Sequence, residues 1–124
     1  MAEAVAPELD DAVRRKVLAL VGLGVRGRLV VVGAERVRIE AMKGAVQLAI
    51  VATDVSRHSL DKVVPVLRAR HVQVIEWPSS AELGGAVGRD TTAAVGIVDQ
   101  ALARGIRGAV AGAAPASDAT RVSR

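Results

Sequence analysis

The chain contains no cysteine, phenylalanine or tyrosine, and Trp77 is its single aromatic residue. Without thiols it can form no disulfide, no thiolate metal site and no cysteine nucleophile. Without aromatics the core must be aliphatic, with β-branched residues supplying the strands. The scarcity also limits function. Sequence-tolerant single-strand binders stack bases on aromatic platforms, and one Trp cannot build one. Any contact with nucleic acid has to rest on charge, shape and backbone groups. Long apolar runs are missing too. Val17–Val25 is interrupted by Gly22 and Gly24 and falls far short of the roughly 20 residues that span a bilayer. The acidic N-terminus lacks the basic start of a signal peptide. A soluble, cytoplasmic protein without a membrane partner is the expectation.

What is present is small, aliphatic and basic. A length of 124 residues fits one domain, and such a chain buries roughly two-thirds of its unfolded surface. Seventeen Lys and Arg face 13 Asp and Glu, for a net charge of +4 and a pI near 10.6. Only Lys16, Lys43 and Lys62 are lysines. Arginine forks suit phosphates and guanine edges, although a codon bias towards Arg, Ala, Gly and Val accounts for them equally well. The charge makes anionic partners plausible and says nothing more specific.

The apolar pattern predicts alternating elements. Leu9, Val13, Val17 and Leu20 recur at helical spacing, so a helix is expected from Pro7 to about Gly24. A strand follows at Leu29–Val32, then a helix from Gly33 through Lys43, closed by Gly44. Val46–Ala52 is too apolar for a half-exposed strand and reads as a central one covered on both faces. A helix at Ser59–Arg70 follows, with Pro65 as a kink or its true start. Next come a strand at Val72–Ile75, a short helix at Ser79–Val87 capped by Ser79 or Ser80, a buried strand at Ala93–Val98 and a helix at Asp99–Arg107. This order predicts an α/β fold: a three-layer α/β/α sandwich around a mixed, roughly four-stranded sheet. Residues 8–107 form the expected single domain, between a flexible N-terminus (1–7) and a disordered tail (108–124).

Catalytic chemistry finds little support. His58 and His71 sit beside Arg57 and Arg70, which disfavours a bound cation, and no carboxylate spacing completes a ligand set. Ser56, Ser59, Ser79 and Ser80 lie at caps and turns, and none occupies a Gly-x-Ser-x-Gly elbow. Asp54 and Asp99 follow strands, where α/β proteins often place ligand groups, but both are expected first as caps of the helix that comes next. No enzyme activity, cofactor, metal or small-molecule substrate is expected.

Two segments invite a binding role. At 100° per residue, Ala34, Val37 and Ala41 share one face of the second helix and belong to the core. Glu35, Ile39 and Lys43 form a row elsewhere, with Arg36 and Glu40 beside it, and Arg38 lies at the core edge. Ile39 among charges is either a lone exposed apolar residue or part of a contact surface. The N-terminus of this helix at Gly33 offers unpaired N–H groups suited to phosphate. The second segment is Leu83-Gly84-Gly85-Ala86-Val87-Gly88, followed by Arg89 and Asp90. Its glycines end a short helix, where backbone can approach closely or turn with positive φ. They follow a helix and do not open one, so they are no phosphate-binding fingerprint.

Together these segments resemble the kink-turn-binding superfamily of small ribosomal and ribonucleoprotein components. It includes the archaeal large-subunit protein seven-Ae, the eukaryotic protein thirty-e and small bacterial YlxQ-like members. The likeness runs from about Leu18 to Arg107 and includes Gly27-Arg28-Leu29, Gly33, Ala49–Asp54 and, most specifically, Leu83–Gly88. It implies non-catalytic recognition of kink-turn or similarly bent structured RNA, ribosomal RNA above all, by a monomer. In the family the helix after the first strand begins Gly-x-Asn-Glu-x-x-Lys, and those polar residues read sheared guanines. Gly33 matches. Glu35 stands for Asn, Arg36 for Glu and Ile39 for Lys, while Lys43 restores charge one turn on. The resemblance thus implies an RNA site of Gly33, Glu35, Arg36, Arg38, Ile39 and Lys43 with Gly88, Arg89 and Asp90, whose loop would hold a flipped-out nucleotide. The altered readers leave an alternative, a protein-interaction module on the same fold. A relic of the RNA-substrate domain of some ribose methyltransferases is a third reading, which the Leu83–Gly88 segment disfavours.

Overall fold

Period-two alternation along the strands divides the apolar side chains between the two faces of one sheet. The computed structural model describes residues 4–5 and 10–111. In chain order the elements are β1 (Ala4–Val5), α1 (Asp11–Arg26), β2 (Val30–Val32), α2 (Ala34–Met42) and β3 (Leu48–Ala52). They continue with α3 (Arg57–Ala69), β4 (Gln73–Trp77), α4 (Ser80–Ala86), β5 (Ala94–Ile97) and α5 (Gln100–Ala111). The sheet order is β1-β4-β3-β5-β2. β1, β3 and β4 are mutually parallel, while β5 runs antiparallel to both β3 and β2.

All five residues of β3 are buried, as expected of a central strand covered on both sides. Leu48, Ile50 and Ala52 join Ile75, Trp77, Val95 and Ile97 under α1, α4 and α5. Ala49 and Val51 join Val74 and Ala94 under α2 and α3. The helices present matching stripes: Val17 and Val21 from α1, Ala103, Ile106 and Val110 from α5, Val37 and Ala41 from α2, Val63 and Leu67 from α3. The result is the three-layer α/β/α sandwich around a mixed sheet.

Several boundaries differ from those the sequence predicts. The four main strands gain a fifth at the edge, where Ala4 and Val5 pair with Val74 and Ile75 inside the segment expected to be flexible. The expected helix start at Pro7 lies outside the described residues. Asp10 caps α1, its carboxylate accepting from Val13 N at 2.9 Å, and the helix runs on past Gly24 to Arg26. Gly24 does not end the helix; it makes room, because a Cβ there would collide with Leu102 and Val30. Ser56 caps α3, accepting from Ser59 N at 3.2 Å, so Pro65 falls inside the helix. β4 reaches Trp77, whose indole is buried and donates to Glu82 Oε1 at 3.0 Å. α5 continues through Gly108 to Ala111, since Val110 completes its buried stripe. That makes the first four residues of the expected disordered tail helical, and residues 112–124 lie outside the described residues.

Candidate nucleic-acid interface

Strand direction gathers the candidate residues at one edge. β2, β3 and β4 all end where β5 begins, with Val32 opposite Val95, Val51 opposite Ala94 and Ala52 opposite Trp77. This edge therefore collects the β2–α2 junction at Gly33, the loops after β3 and β4, and the loop from α4 into β5.

Gly33 adopts φ 100°, a conformation that L side chains rarely take. Its N–H donates to Ala94 O at 2.8 Å, and its carbonyl accepts from Val37 N at 2.9 Å. The backbone thereby turns from the sheet straight into α2, leaving the first turn with no side-chain cap. Uncapped N–H groups at a helix start carry partial positive charge and suit a phosphate oxygen.

The two glycines of the α4 segment do different jobs. A Cβ on Gly84 would lie 2.5 Å from Thr91 Cα and 2.7 Å from Thr91 N, so the loop folds directly onto this residue. Gly84 O also accepts from Arg89 N at 2.7 Å. Gly88 has open space around it but needs φ 80°. Thr92 fastens the far side, its N–H donating to Ser80 O at 3.1 Å and its hydroxyl to Ala94 O at 3.2 Å. The turn is thus held by backbone bonds, while Gly88, Arg89 and Asp90 stand exposed at its tip.

Neighbouring loops are tied to this turn. Asp54 was expected to cap the helix that follows it, but its carboxylate accepts from Ser80 N at 2.9 Å and braces α4. Asp99, past the opposite end of β5, does cap the next helix, accepting from Leu102 N at 2.8 Å. Glu82 accepts from Arg14 as well as Trp77, and the Arg14 guanidinium lies 5.8 Å from the Trp77 ring centroid. One polar knot joins α1, β4 and α4 behind the loop. Thr53 and Asp54 lie on this edge, at the end of the central strand, and neither is among the site residues that the sequence predicts. Their only sequence signal is position, directly after a central strand.

Along α2 the predicted residues separate. Val37 and Ala41 are buried, as the angular count requires. Glu35 and Arg36 occupy the exposed first turn. Arg38 donates to Glu35 Oε2 at 2.6 Å and contacts Met42 Sδ at 3.3 Å. That guanidinium holds the Glu35 carboxyl below the ordinary carboxylate range, and Glu35 in turn raises Arg38. Arg36 makes no ion pair with another described residue. Ile39 is 36% exposed, one turn further on. Lys43 is the C-cap of α2 and lies 3.5 Å from Glu40. At about 1.5 Å per residue, it sits roughly 15 Å along the axis from Gly33, away from the loop of Gly88, Arg89 and Asp90.

Among the described residues no cluster of His, Asp or Glu could hold a metal ion, and no helix is long and apolar enough to cross a membrane. The fold defines a class first, an α/β/α sandwich with its loops gathered along one sheet edge. Residues 15–105 match the Ribosomal protein L7Ae/L30e/S12e/Gadd45 family, and the chain belongs to that family. Among solved structures, a protein of unknown function from Bacillus halodurans C is 26% identical with a TM-score of 0.70, covering 77% of this chain and 96% of its own. The 15.5kD RNA binding protein of Giardia lamblia superposes with a TM-score of 0.71 at 20% identity, covering 86% of this chain and 92% of its own. At that identity the likeness speaks for the fold. No curated protein matches the chain in sequence.

Proposed function

We propose that this chain is a non-catalytic RNA-binding protein that recognises kink-turn or similarly bent structured RNA, acting on ribosomal RNA in the cytoplasm as a monomer. The observation that carries the reading is one juxtaposition: the uncapped α2 start at Gly33 shares a sheet edge with the Gly84-seated loop of Gly88, Arg89 and Asp90. Membership of a ribosomal-protein family and a fold shared with an RNA binding protein support it.

Each group has a task suited to its chemistry. The α2 N–H groups take a backbone phosphate. Arg36 supplies a free fork for a phosphate or for guanine O6 and N7. Glu35, kept ionised by Arg38, accepts from guanine N1 or N2. Arg89 and Asp90, exposed at the tip of the loop, take an unstacked nucleotide, in keeping with RNA recognition through splayed bases. Ile39 donates nothing, and losing one good base contact costs about 1–3 kcal/mol. A second reading, a protein-interaction module, draws on Ile39 and Met42, which are 36% and 50% exposed one turn apart on α2.

Titration of a kink-turn RNA against a plain duplex of equal length tests the proposal. Tighter binding of the kink-turn is expected, weakening by on the order of 0.7–0.9 log units per phosphate contacted for each tenfold rise in salt. Equal binding of both RNAs would overturn it.

A further inference from the structure

The net charge of this domain is not at the candidate site. The sheet edge opposite to it, marked by the register row Gln73–Leu48–Ile97–Val30, receives the C-terminal ends of α1, α2 and α3. Arg26 and Arg28 stand at the end of α1, Lys43 at the end of α2, and Arg68 and Arg70 at the end of α3. α5 passes beneath the same edge, where Arg107 donates to Gln47 O at 2.7 Å and to Gln73 Oε1 at 2.9 Å, with Arg104 one turn before it. Two carboxylates belong to the same end of the fold, Glu40, beside Lys43, and Asp99, which caps α5; Arg68 also borders a cleft that Asp61 and Glu76 line from further along α3 and β4. Elsewhere in residues 10–111 eight cations face eight carboxylates. The entire formal excess of five positive charges is therefore at this pole.

Helix ends by themselves attract basic residues, and that accounts for part of the pattern. Three C-termini here carry about −0.5 charge each and the α5 N-terminus about +0.5, or roughly −1 together. That leaves about +4, well beyond compensation of the dipoles. Two of the arginines are used structurally yet stay uncompensated, because their acceptors are neutral: Arg70 donates to Met42 O at 2.6 Å, and Arg107 to Gln47 and Gln73. Arg26, Arg28 and Arg104 are exposed and make no side-chain hydrogen bond to another described residue. They are free to meet a partner.

We propose that this pole is a second nucleic-acid surface, which grips the phosphate backbone of double-helical RNA without reading its sequence. The four-strand row spans roughly 14 Å at about 4.8 Å per strand. A double helix carries about one negative charge per 1.7 Å of axis with both strands counted, so on the order of eight phosphates lie along that length, and those on the near side meet an edge bearing seven cations. A protein partner would call for an apolar or aromatic anchor at the centre of the patch. The exposed apolar side chains here, Leu23 and Met42, belong to helices on opposite faces of the sheet and provide none. The domain thus bridges a bent RNA element at one edge and a regular helix at the other. The choice of RNA as partner rests on the function proposed above, whereas the charge asymmetry does not.

The test uses the full chain and two RNAs: a minimal kink-turn with short flanks, and a plain duplex of about two helical turns. A triple variant, Arg26→Gln, Arg28→Asn and Arg104→Gln, removes charge without touching the structural arginines. Asn tolerates the left-handed conformation of Arg28, whose φ is 62°. The single reversal Arg104→Glu serves as a second variant should the triple one unfold early. Wild type is expected to bind the plain duplex measurably at low salt. The triple variant should lose at least tenfold in that binding, its log–log salt slope falling by about 2–3 at ~0.7–0.9 per lost phosphate contact, with minimal kink-turn binding unchanged. Absent wild-type duplex binding, an unchanged slope, or equal loss on both RNAs would overturn the second surface. Failure of the kink-turn reading has a different signature, wild type showing no preference between the two RNAs.

Discussion

Gly84→Ala offers the sharpest check on how the loop is held. The new Cβ would meet Thr91 Cα at 2.5 Å, Thr91 N at 2.7 Å and Asp90 C at 2.8 Å. All three are backbone atoms, so no rotamer change relieves the clash, and the loop must back away by about 1 Å to restore ordinary contact distances. That movement breaks or stretches Arg89 N to Gly84 O, now 2.7 Å, and strains Thr92 N to Ser80 O, now 3.1 Å. Overpacking of this kind costs about 1–3 kcal/mol. A loss of about 2 kcal/mol lowers Tm by roughly 8–16 °C in a domain of this size. Gly85→Ala on the same helix is the control, because a Cβ at Gly85 meets nothing within 4 Å; replacing an exposed helical glycine should stabilise by up to about 1 kcal/mol. Thermal unfolding followed by far-ultraviolet circular dichroism reads both variants. If Gly84→Ala melts with wild type, the loop does not rest on Gly84 and the argument for a built site fails.

Arg36→Ala and Arg89→Ala should each weaken kink-turn binding while changing stability by no more than about 0.5 kcal/mol, the usual range for surface substitutions; paired titrations and melts decide. Ile39→Lys should strengthen binding, by up to about 1–3 kcal/mol if a guanine contact is gained, and a weaker complex would show that Ile39 makes an apolar contact of its own. Arg38→Ala should let the Glu35 carboxyl titrate at a higher pH, seen by NMR, because the guanidinium holds it low. The sign follows: the folded pKa is depressed, so the pair's contribution is complete above the ordinary carboxylate value and fades as pH falls through the depressed one. A Glu35 titration unmoved by the substitution would refute the pairing.

Much of this was legible in the chain because it depends on local pattern. The unbroken apolar run of β3 announced a strand covered on both faces, and Ala34, Val37 and Ala41 fixed which side of α2 meets the sheet. Leu83–Gly88 signalled a glycine-dependent turn, although only the folded loop assigns close approach to Gly84 and positive φ to Gly88. What escaped depends on distant partners. Gly24 looked like a helix end because nothing in the local sequence shows Leu102 and Val30 packed against it. Asp54 looked like a cap for α3 because its actual partner, Ser80 N, lies 26 residues away. Lys43 shares a helical row with Glu35, but a row says nothing of axial distance, and the two lie at opposite ends of α2. The charge asymmetry was hidden for the same reason: +4 is a property of the chain, whereas its position follows from the strand directions.

The central claim is that RNA is held where the α2 start meets the α4–β5 loop, and backbone amide shifts during titration with a minimal kink-turn RNA test it most directly. The account predicts that the largest changes fall on Ala34, Glu35 and Arg36 and on Gly88 to Thr91, with Ile39 and Met42 moving less. Shifts centred on Ile39 and Met42, or none at saturating RNA, would contradict it.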